Sequence, residues 1–338
     1  MLALSGESIM ESKNILCLGI ESTAHTFGAA VLKDKKVLAN VYDTYRTEKG
    51  GIIPTEAAKH HSEVKDMLIL RALDEAKIKL TDIDLIAYSK SPGLAPCLKQ
   101  GMLVAKDLHE KLKKPVIGVN HCIAHLEIGR MMTKAKDPVL LYASGANTQV
   151  IAYAAGKYRI FGETLDLGVG NFIDTFARTA GLGFPGGPKI AELAAKGKNL
   201  IELPYSVKGM DVSFSGILTN LQQKLKSGNH KLEDLSYSLQ ETAFAMLIEV
   251  AERAMAHLNK KELLLGGGVA CNSRLQEMAR KMCKERGAKF FCPERQFLVD
   301  NAAMIAWLGI LMHKSGIKMK EIDFNPSERT DDVEVKWR

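Results

Sequence analysis

The segment HCIAH places His121 and His125 four residues apart. On a helix that spacing stacks both imidazoles on one face, where they can bind one metal ion. A third ligand must come from elsewhere. Asp300, in LVDNAAMIAW, stands where a helix should begin, and Tyr142 sits beside a polar turn. The same residues admit a plainer reading, in which the histidines are a solvent-facing pair and Asp300 is a helix N-cap, a position that favours Asp. Residue types and spacing leave both open. The adjacent His60 and His61 cannot share a helix face, so packing or a surface contact is expected of them. Cys122, between the two histidines, points to a different face and reads as core.

Phosphate binding is the second chemistry on offer. Phosphates need backbone N–H donors and small side chains that let the backbone approach, which Gly-rich and Ser/Thr-rich turns provide. Three such turns occur. They are Ser22 with Thr23, then Ser144, Gly145, Ala146, Asn147 and Thr148, and finally Gly266, Gly267 and Gly268, between the apolar run LLL and a helix expected to open at Asn272. Singly, each reads as a plain turn. GxxxxGK[ST] is absent, and the GxGxxG of GLGFPG at 181–186 follows a helical stretch rather than a strand, so a P-loop or Rossmann site is not supported.

The elements that must carry these residues come in two similar runs. ILCLGIE, TFGAAVL and VLANVYD read as three strands joined by a polar turn and a charged one at 33–36. A helix over 55–76, a buried strand at 85–88, the loop SPGLAP, a helix to about Lys113, the strand PVIGV and a helix from His121 follow. VLLYA, QVIAYA, YRIFGETL and a helix near 171–180 then begin the pattern again. Aligning 18–41 with 141–164 superposes strand on strand and polar turn on polar turn. That predicts two copies of a βββαβαβα unit facing each other across a ligand cleft.

Length and composition agree with two domains sharing a cleft. The chain has 338 residues, 46% hydrophobic and 25% charged, an ordinary globular composition that excludes a disordered or collagen-like protein. No window reaches the ~18 apolar residues of a membrane span, and the opening MLALSGESIMESK has acidic residues where a signal peptide needs an apolar core. A soluble, cytoplasmic protein without a membrane partner is expected. Six cysteines without a CxxC pair read as reduced thiols. The net charge of +7 is compatible with a polyanionic partner, although lysines such as Lys111, Lys113 and Lys114 read as a solvated helix end.

With these motifs in hand, the chain resembles the archaeal and eukaryotic branch of the universal tRNA threonylcarbamoyltransferase family, formerly called O-sialoglycoprotein endopeptidases, within the actin-like ATPase (ASKHA) superfamily. The resemblance rests on GIESTAHTFG at 19–28, GGIIP at 50–54 with Glu56, His60 and His61 beyond it, SPGLAPCLKQG at 91–101 and NHCIAHLE at 120–127. It continues through LYASGANTQ at 141–149, GETLDLGVGNFIDTFAR at 162–178, FPGGPK, MDVSFSGILTN, GGGVACN, VDNAAMIA and RTDDVEVKWR at 329–338. The branch is read from AHTFG and MDVSFSG.

The resemblance implies a duplicated α/β fold of the ASKHA type, with an N-terminal lobe over 1–134 and a C-terminal lobe over 135–338 that carries a family-specific insertion around 183–235. It implies transfer of threonylcarbamoyl from threonylcarbamoyl-AMP to N6 of the adenine 3′ of the anticodon in tRNAs reading ANN codons, with release of AMP. It further implies one divalent metal per subunit, iron or zinc, at His121, His125 and Asp300 with Tyr142 close by. The adenylate, or ATP or AMP in its place, falls on Tyr142, Ala143, Ser144, Gly145 and Ala146, with Asp174 and Gly187 toward the ribose and Asn272 toward the base. Expected partners are tRNA and a KEOPS-type complex with a small kinase-like ATPase and small accessory subunits. Two positions depart from the family pattern. Ala146 adds a methyl where SGGN is usual, and Ala191 replaces a glutamate for which Glu192, turned ~100° away on a helix, is the neighbour. Three rivals stand beside this reading: a metallopeptidase, which lacks the HExxH glutamate because Cys122 occupies that place, an ASKHA small-molecule kinase, and a nucleotide-gated scaffold without enzymatic activity.

Overall fold

The computed structural model describes residues 14–47 and 51–338. The opening MLALSGESIMESK and Gly50 of the GGIIP segment lie outside the described residues.

Each half of the chain opens with three antiparallel strands. The first run is β1 (Leu16–Glu21), β2 (Thr26–Lys33) and β3 (Lys36–Thr44), followed by α1 (Pro54–Ala76), β4 (Leu85–Ser91), α2 (Ala95–Leu112), β5 (Val116–Asn120) and α3 (His121–Met132). The second is β6 (Val139–Ala143), β7 (Thr148–Ala154) and β8 (Lys157–Glu163), then α4 (Val169–Thr179), α5 (Gly187–Ala194), a short hairpin of β9 (Val207–Lys208) and β10 (Asp211–Val212), α6 (Ser215–Ser227) and α7 (Leu232–His257). It ends with β11 (Glu262–Gly266), α8 (Ser273–Glu285), β12 (Lys289–Phe291), α9 (Arg295–Leu298) and α10 (Ala302–Lys314).

Two five-stranded sheets result, in the orders β3-β2-β1-β4-β5 and β8-β7-β6-β11-β12. In both, the first three strands are antiparallel and the last two join in parallel. The duplication read from the sequence is therefore a duplication of topology. The β7–β8 turn shows why the hairpins form: Ala155 and Gly156 both have positive φ, 49° and 79°, the backbone of a two-residue turn whose twist matches its strands. Among the described residues, no helix is long and apolar enough to cross a membrane.

One helix decides where the site lies. α10 reads AAMIAWLGILMHK and is buried nearly all round, as a helix without a polar face must be. Although it comes from the second half of the chain, it lies on β1, β2 and β4 of the first sheet and against α3, while α3 from the first half meets β11 through Gly129 and Leu264. Close approach requires glycine: a Cβ on Gly19 of β1 would sit 2.3 Å from the Ala302 carbonyl oxygen, and one on Gly309 of α10 would sit 2.4 Å from the Ala87 Cβ. Gly19→Ala is therefore expected to push α10 off β1 and to destabilise the protein by about 1–3 kcal/mol, the usual cost of overpacking. Urea unfolding measures this, and an unchanged midpoint would show that the packing is looser than these distances require.

Candidate metal centre and adjoining cleft

Asn120 caps α3, its side-chain oxygen accepting from the amides of Cys122 (3.1 Å) and Ile123 (3.3 Å), so that the helix starts at His121. His125 follows one turn later, and the two rings pack edge to face with centroids 4.7 Å apart. Both are buried, which removes the solvent-facing alternative. The N-cap alternative for Asp300 fails as well: the next residue, Asn301, caps α10 by accepting from the Met304 amide at 3.0 Å. The Asp300 carboxylate is left to meet the histidines, with Oδ1 at 3.3 Å from His121 Nε2 and 3.4 Å from His125 Nε2. One ligand atom from each of the three residues falls within 4.8 Å of the others. Tyr142, at the end of β6, joins them with its hydroxyl 3.1 Å from His121 Nε2.

The electrostatics single out each group. Burial alone would push the His121 imidazolium down, but Tyr142, Glu21 and Asp300 outweigh it and hold its pKa well above the ordinary value. Burial dominates at His125 and lowers its pKa, which favours the neutral ring that binds metals. At Asp300 burial is likewise outweighed, by His121 and His125, and the carboxyl lies well below its usual range. His125 Nδ1 is buried without a hydrogen-bond partner. Two imidazole nitrogens and one carboxylate oxygen converging on a point fit a first-row divalent ion, zinc or iron, with positions left for other ligands. Cys122 is core as expected, its thiol pushed up to about 11 by burial.

Sequence reading gave no role to Glu21. This residue ends β1 fully buried, and its Oε2 lies 3.0 Å from His121 Nδ1 while Oε1 accepts from the amide (2.7 Å) and hydroxyl (2.5 Å) of Thr23. A carboxylate in that position fixes the ring and tautomer of an imidazole, leaving Nε2 toward Asp300. The available signal was a glutamate closing an otherwise apolar strand.

The first Ser/Thr turn is tied into the protein through its backbone. The Ser22 amide donates to Ser89 Oγ at 2.9 Å and the Thr23 amide to Glu21, while α2 begins directly over the turn: a Cβ on Gly93 would sit 2.6 Å from the Thr23 carbonyl oxygen. Both of these amides are engaged inside the protein, and the Ser22 hydroxyl is buried without a partner.

The other two turns lie together at the ends of β6 and β11. Ser144 and Asn147 close the first by mutual hydrogen bonds, with Gly145 and Ala146 exposed at its tip. Its carbonyls accept from the α4 residues Gly170 and Asn171. Gly267, at φ 89°, lies against the buried Ala143, where a Cβ would come within 2.3 Å of the carbonyl oxygen. Farther along α4, Asp174 Oδ1 accepts from the Gly186 amide at 2.7 Å, and burial raises its pKa. Gly187 opens α5 with clear space where a Cβ would point. Asn272 caps α8, accepting from the Arg274 amide at 2.8 Å and donating to Gln240 Oε1 at 2.9 Å. Ala191 is half-buried on α5 and Glu192 is exposed. From the opposite lobe, the His25 ring meets that of Phe184 at 6.1 Å. His60 and His61 are packed, His60 Nε2 on Asp43 Oδ1 at 3.0 Å and His61 buried. A separate cavity of about 530 Å³, lined by Cys271, Arg280, Phe290 and Cys292 among others, contains none of these site residues.

The fold is that of the actin-like ATPases. HypF of T. kodakarensis superposes with a TM-score of 0.62 at 14% identity, over 88% of this chain and 47% of that one. The activator of the 2-hydroxyisocaproyl-CoA dehydratase from Clostridium difficile, with bound ADPNP, superposes with 0.57 at 12% identity, over 91% and 100%. Sequence relatives are much nearer. The tRNA N6-adenosine threonylcarbamoyltransferase of Thermococcus kodakarensis is 55% identical over 325 residues, 96% of this chain and all of the relative. A probable bifunctional tRNA threonylcarbamoyladenosine biosynthesis protein of Methanosarcina mazei is 54% identical over 96% of this chain and 60% of its own length. The model of the tRNA N6-adenosine threonylcarbamoyltransferase family matches residues 36–307, and with that likeness the chain belongs to this family.

Proposed function

We propose that this protein transfers the threonylcarbamoyl group of threonylcarbamoyl-AMP to N6 of the adenine 3′ of the anticodon in tRNAs reading ANN codons, releasing AMP. The observation that carries this reading is the full-length likeness at 55% identity to a transferase of that name. The geometry supports it by joining the buried His121 and His125 and the half-buried Asp300 to Tyr142, two residues before a turn whose tip, Gly145 and Ala146, is exposed. A divalent iron or zinc ion held by those three residues, with Tyr142 alongside, would supply Lewis acidity toward a carbonyl oxygen.

The chain's own residues do the rest. Glu21 holds the His121 ring in place, and the buried surroundings of the trio keep water from a carbamoyl anhydride that is already activated toward attack. Gly145 and Ala146 let backbone approach the phosphate, Asp174 and Gly187 receive the ribose, and Asn272 lies toward the base. Orientation of the adenine amine against the carbonyl then contributes much of the rate, without a covalent enzyme intermediate. Cys122, buried with a raised pKa, offers no nucleophile or water-activating base, which disfavours the peptidase reading. Partners on this reading are tRNA and a KEOPS-type assembly with a small kinase-like ATPase, and the location is the cytoplasm.

Three outcomes test the proposal. His121→Ala and Asp300→Ala should each lose stoichiometric iron or zinc while remaining folded; full occupancy in elemental analysis of both variants would remove the ligand set. Gly145→Val, at a site where a Cβ meets nothing nearer than Asn171 Oδ1 at 3.5 Å, should fold normally yet bind AMP at least about tenfold more weakly, a change of ~1.4 kcal/mol by calorimetry. Unchanged affinity there would place the nucleotide elsewhere. Given threonylcarbamoyl-AMP and an ANN-decoding tRNA, with KEOPS-type partners, the protein should yield modified nucleoside by mass spectrometry in step with AMP, and turnover at subsaturating tRNA should fall steeply as salt rises. Modification without the adenylate, or cleavage of protein substrates, would overturn the transferase reading.

A further inference from the structure

The metal helix is held from outside the site by a segment that the proposed function does not use. After α10 the chain crosses the first lobe, where Tyr88 donates to the Asp323 carbonyl at 2.5 Å, Lys90 Nζ pairs with Asp323 at 3.1 Å, the Asn325 amide donates to the Lys90 carbonyl at 3.0 Å, and Ser91 donates to Glu328. The very next residue is anchored on the second lobe: Arg329 Nη2 donates to Glu163 Oε1 of β8 at 2.9 Å, and Asp331 Oδ1 accepts from the Ile160 amide at 2.8 Å. From there Val333, Val335 and Trp337 turn inward and Glu334 and Lys336 outward, the alternation of an extended chain lying on a core.

What this segment covers is α3. Thr330 is 2% exposed, its side chain beside the Cys122 thiol, next to His121. Trp337 Nε1 donates to Glu127 Oε1 at 3.0 Å, two residues beyond His125. Glu127 is itself buried and also receives Tyr158 and, at 2.8 Å, Arg130. Arg338 closes the cluster over the Tyr153 ring at 4.3 Å. A buried carboxylate on a helix can face these donors in only one orientation of that helix, because losing them would strand its charge.

We propose that the segment 323–338 is a positioning strap for the metal helix, fixing the rotation and depth of α3 through Thr330 and Trp337 and so the distances of His121 and His125 from Asp300. This inference rests on the ligand set proposed above. The test uses the full chain as Trp337→Ala, as Trp337→Phe, which keeps the ring but removes the donor, and as Leu108→Ala, a core truncation on α2 away from α3. Zinc affinity is read by chelator competition, and hydrogen exchange is followed over the amides of 121–132.

Trp337→Ala should bind zinc about 10–100-fold more weakly, the scale of losses on removing groups that orient metal ligands, with a smaller loss for Trp337→Phe. Leu108→Ala should lower the melting temperature yet keep its zinc affinity. Unchanged affinity in Trp337→Ala, where His121→Ala abolishes binding, would overturn the strap and leave the ligand set standing. Were zinc binding indifferent to His121, the ligand set would fall, and unaltered exchange of α3 in Trp337→Ala would then overturn the strap on its own.

Discussion

Everything in this molecule is arranged around the burial of charge where α3 and α10 meet. Glu21 is wholly buried, the Asp300 side chain is 19% exposed, and both reach the same imidazole, that of His121. Removing such groups from water costs several kcal/mol each unless they are paired with good geometry. Here two carboxyl groups face one imidazole, whose pKa they and Tyr142 hold well above the ordinary value against its burial, with a second imidazole beside it whose pKa burial lowers. On the proposed reading, a divalent cation among Nε2 of His121, Nε2 of His125 and Asp300 would add positive charge to that set. A cluster of this kind survives selection for stability only where its surroundings are rigid.

Duplication supplies the rigidity. α3 follows β5 in one copy as α10 follows β12, after the short α9, in the other, so that the metal residues stand at equivalent helix starts. Each of the two helices reaches across to the partner copy, α10 to the first sheet and α3 to β11. α3 thereby packs on strands of both sheets, β4 and β5 as well as β6 and β11, while α10 packs on the first sheet and on α3. The contacts are backbone-close, at Gly19 on Ala302, Gly309 on Ala87 and Gly129 on Leu264, and leave no slack for the ligands to drift apart.

Much of this was legible in the sequence, for reasons that can be stated residue by residue. The hairpins at 16–44 and 139–163 declare themselves by apolar alternation broken at polar turns, and the HxxxH spacing declares the shared helix face. Asp300 was recoverable only through resemblance, because an Asp at a helix start is ambiguous until the neighbouring Asn301 is seen to take the cap. The place of Glu21 behind His121 and the occupied Ser22 amide were not recoverable, since both depend on contacts with residues some 70–100 positions away, His121 and Ser89. The return of α10 to the first sheet is of the same kind. Its all-round apolar sequence announces burial but not which sheet buries it.

β6 links the two chemistries. Tyr142, near the end of that buried strand, reaches His121 with its hydroxyl, and the chain then turns at Ser144 to expose Gly145 and Ala146. At ~3.3 Å per residue, the α carbons of Tyr142 and Ser144 are separated by about 7 Å. A threonylcarbamoyl-adenylate imposes a matching requirement, because its reacting carbonyl carbon is one bridging oxygen away from phosphorus. A metal centre and a phosphate cradle built on separate elements would have to be held in register by tertiary packing. On the proposed reading only Tyr142 shares the strand end with the turn, while His121 and His125 come from α3 and Asp300 from just before α10, so packing carries much of that register, and Gly267, whose Cβ would meet the Ala143 carbonyl, holds the strand end down. On the proposed reading, the methyl of Ala146 then falls beyond this fixed span, on the exposed tip of the turn, where the backbone can still adjust to the phosphate.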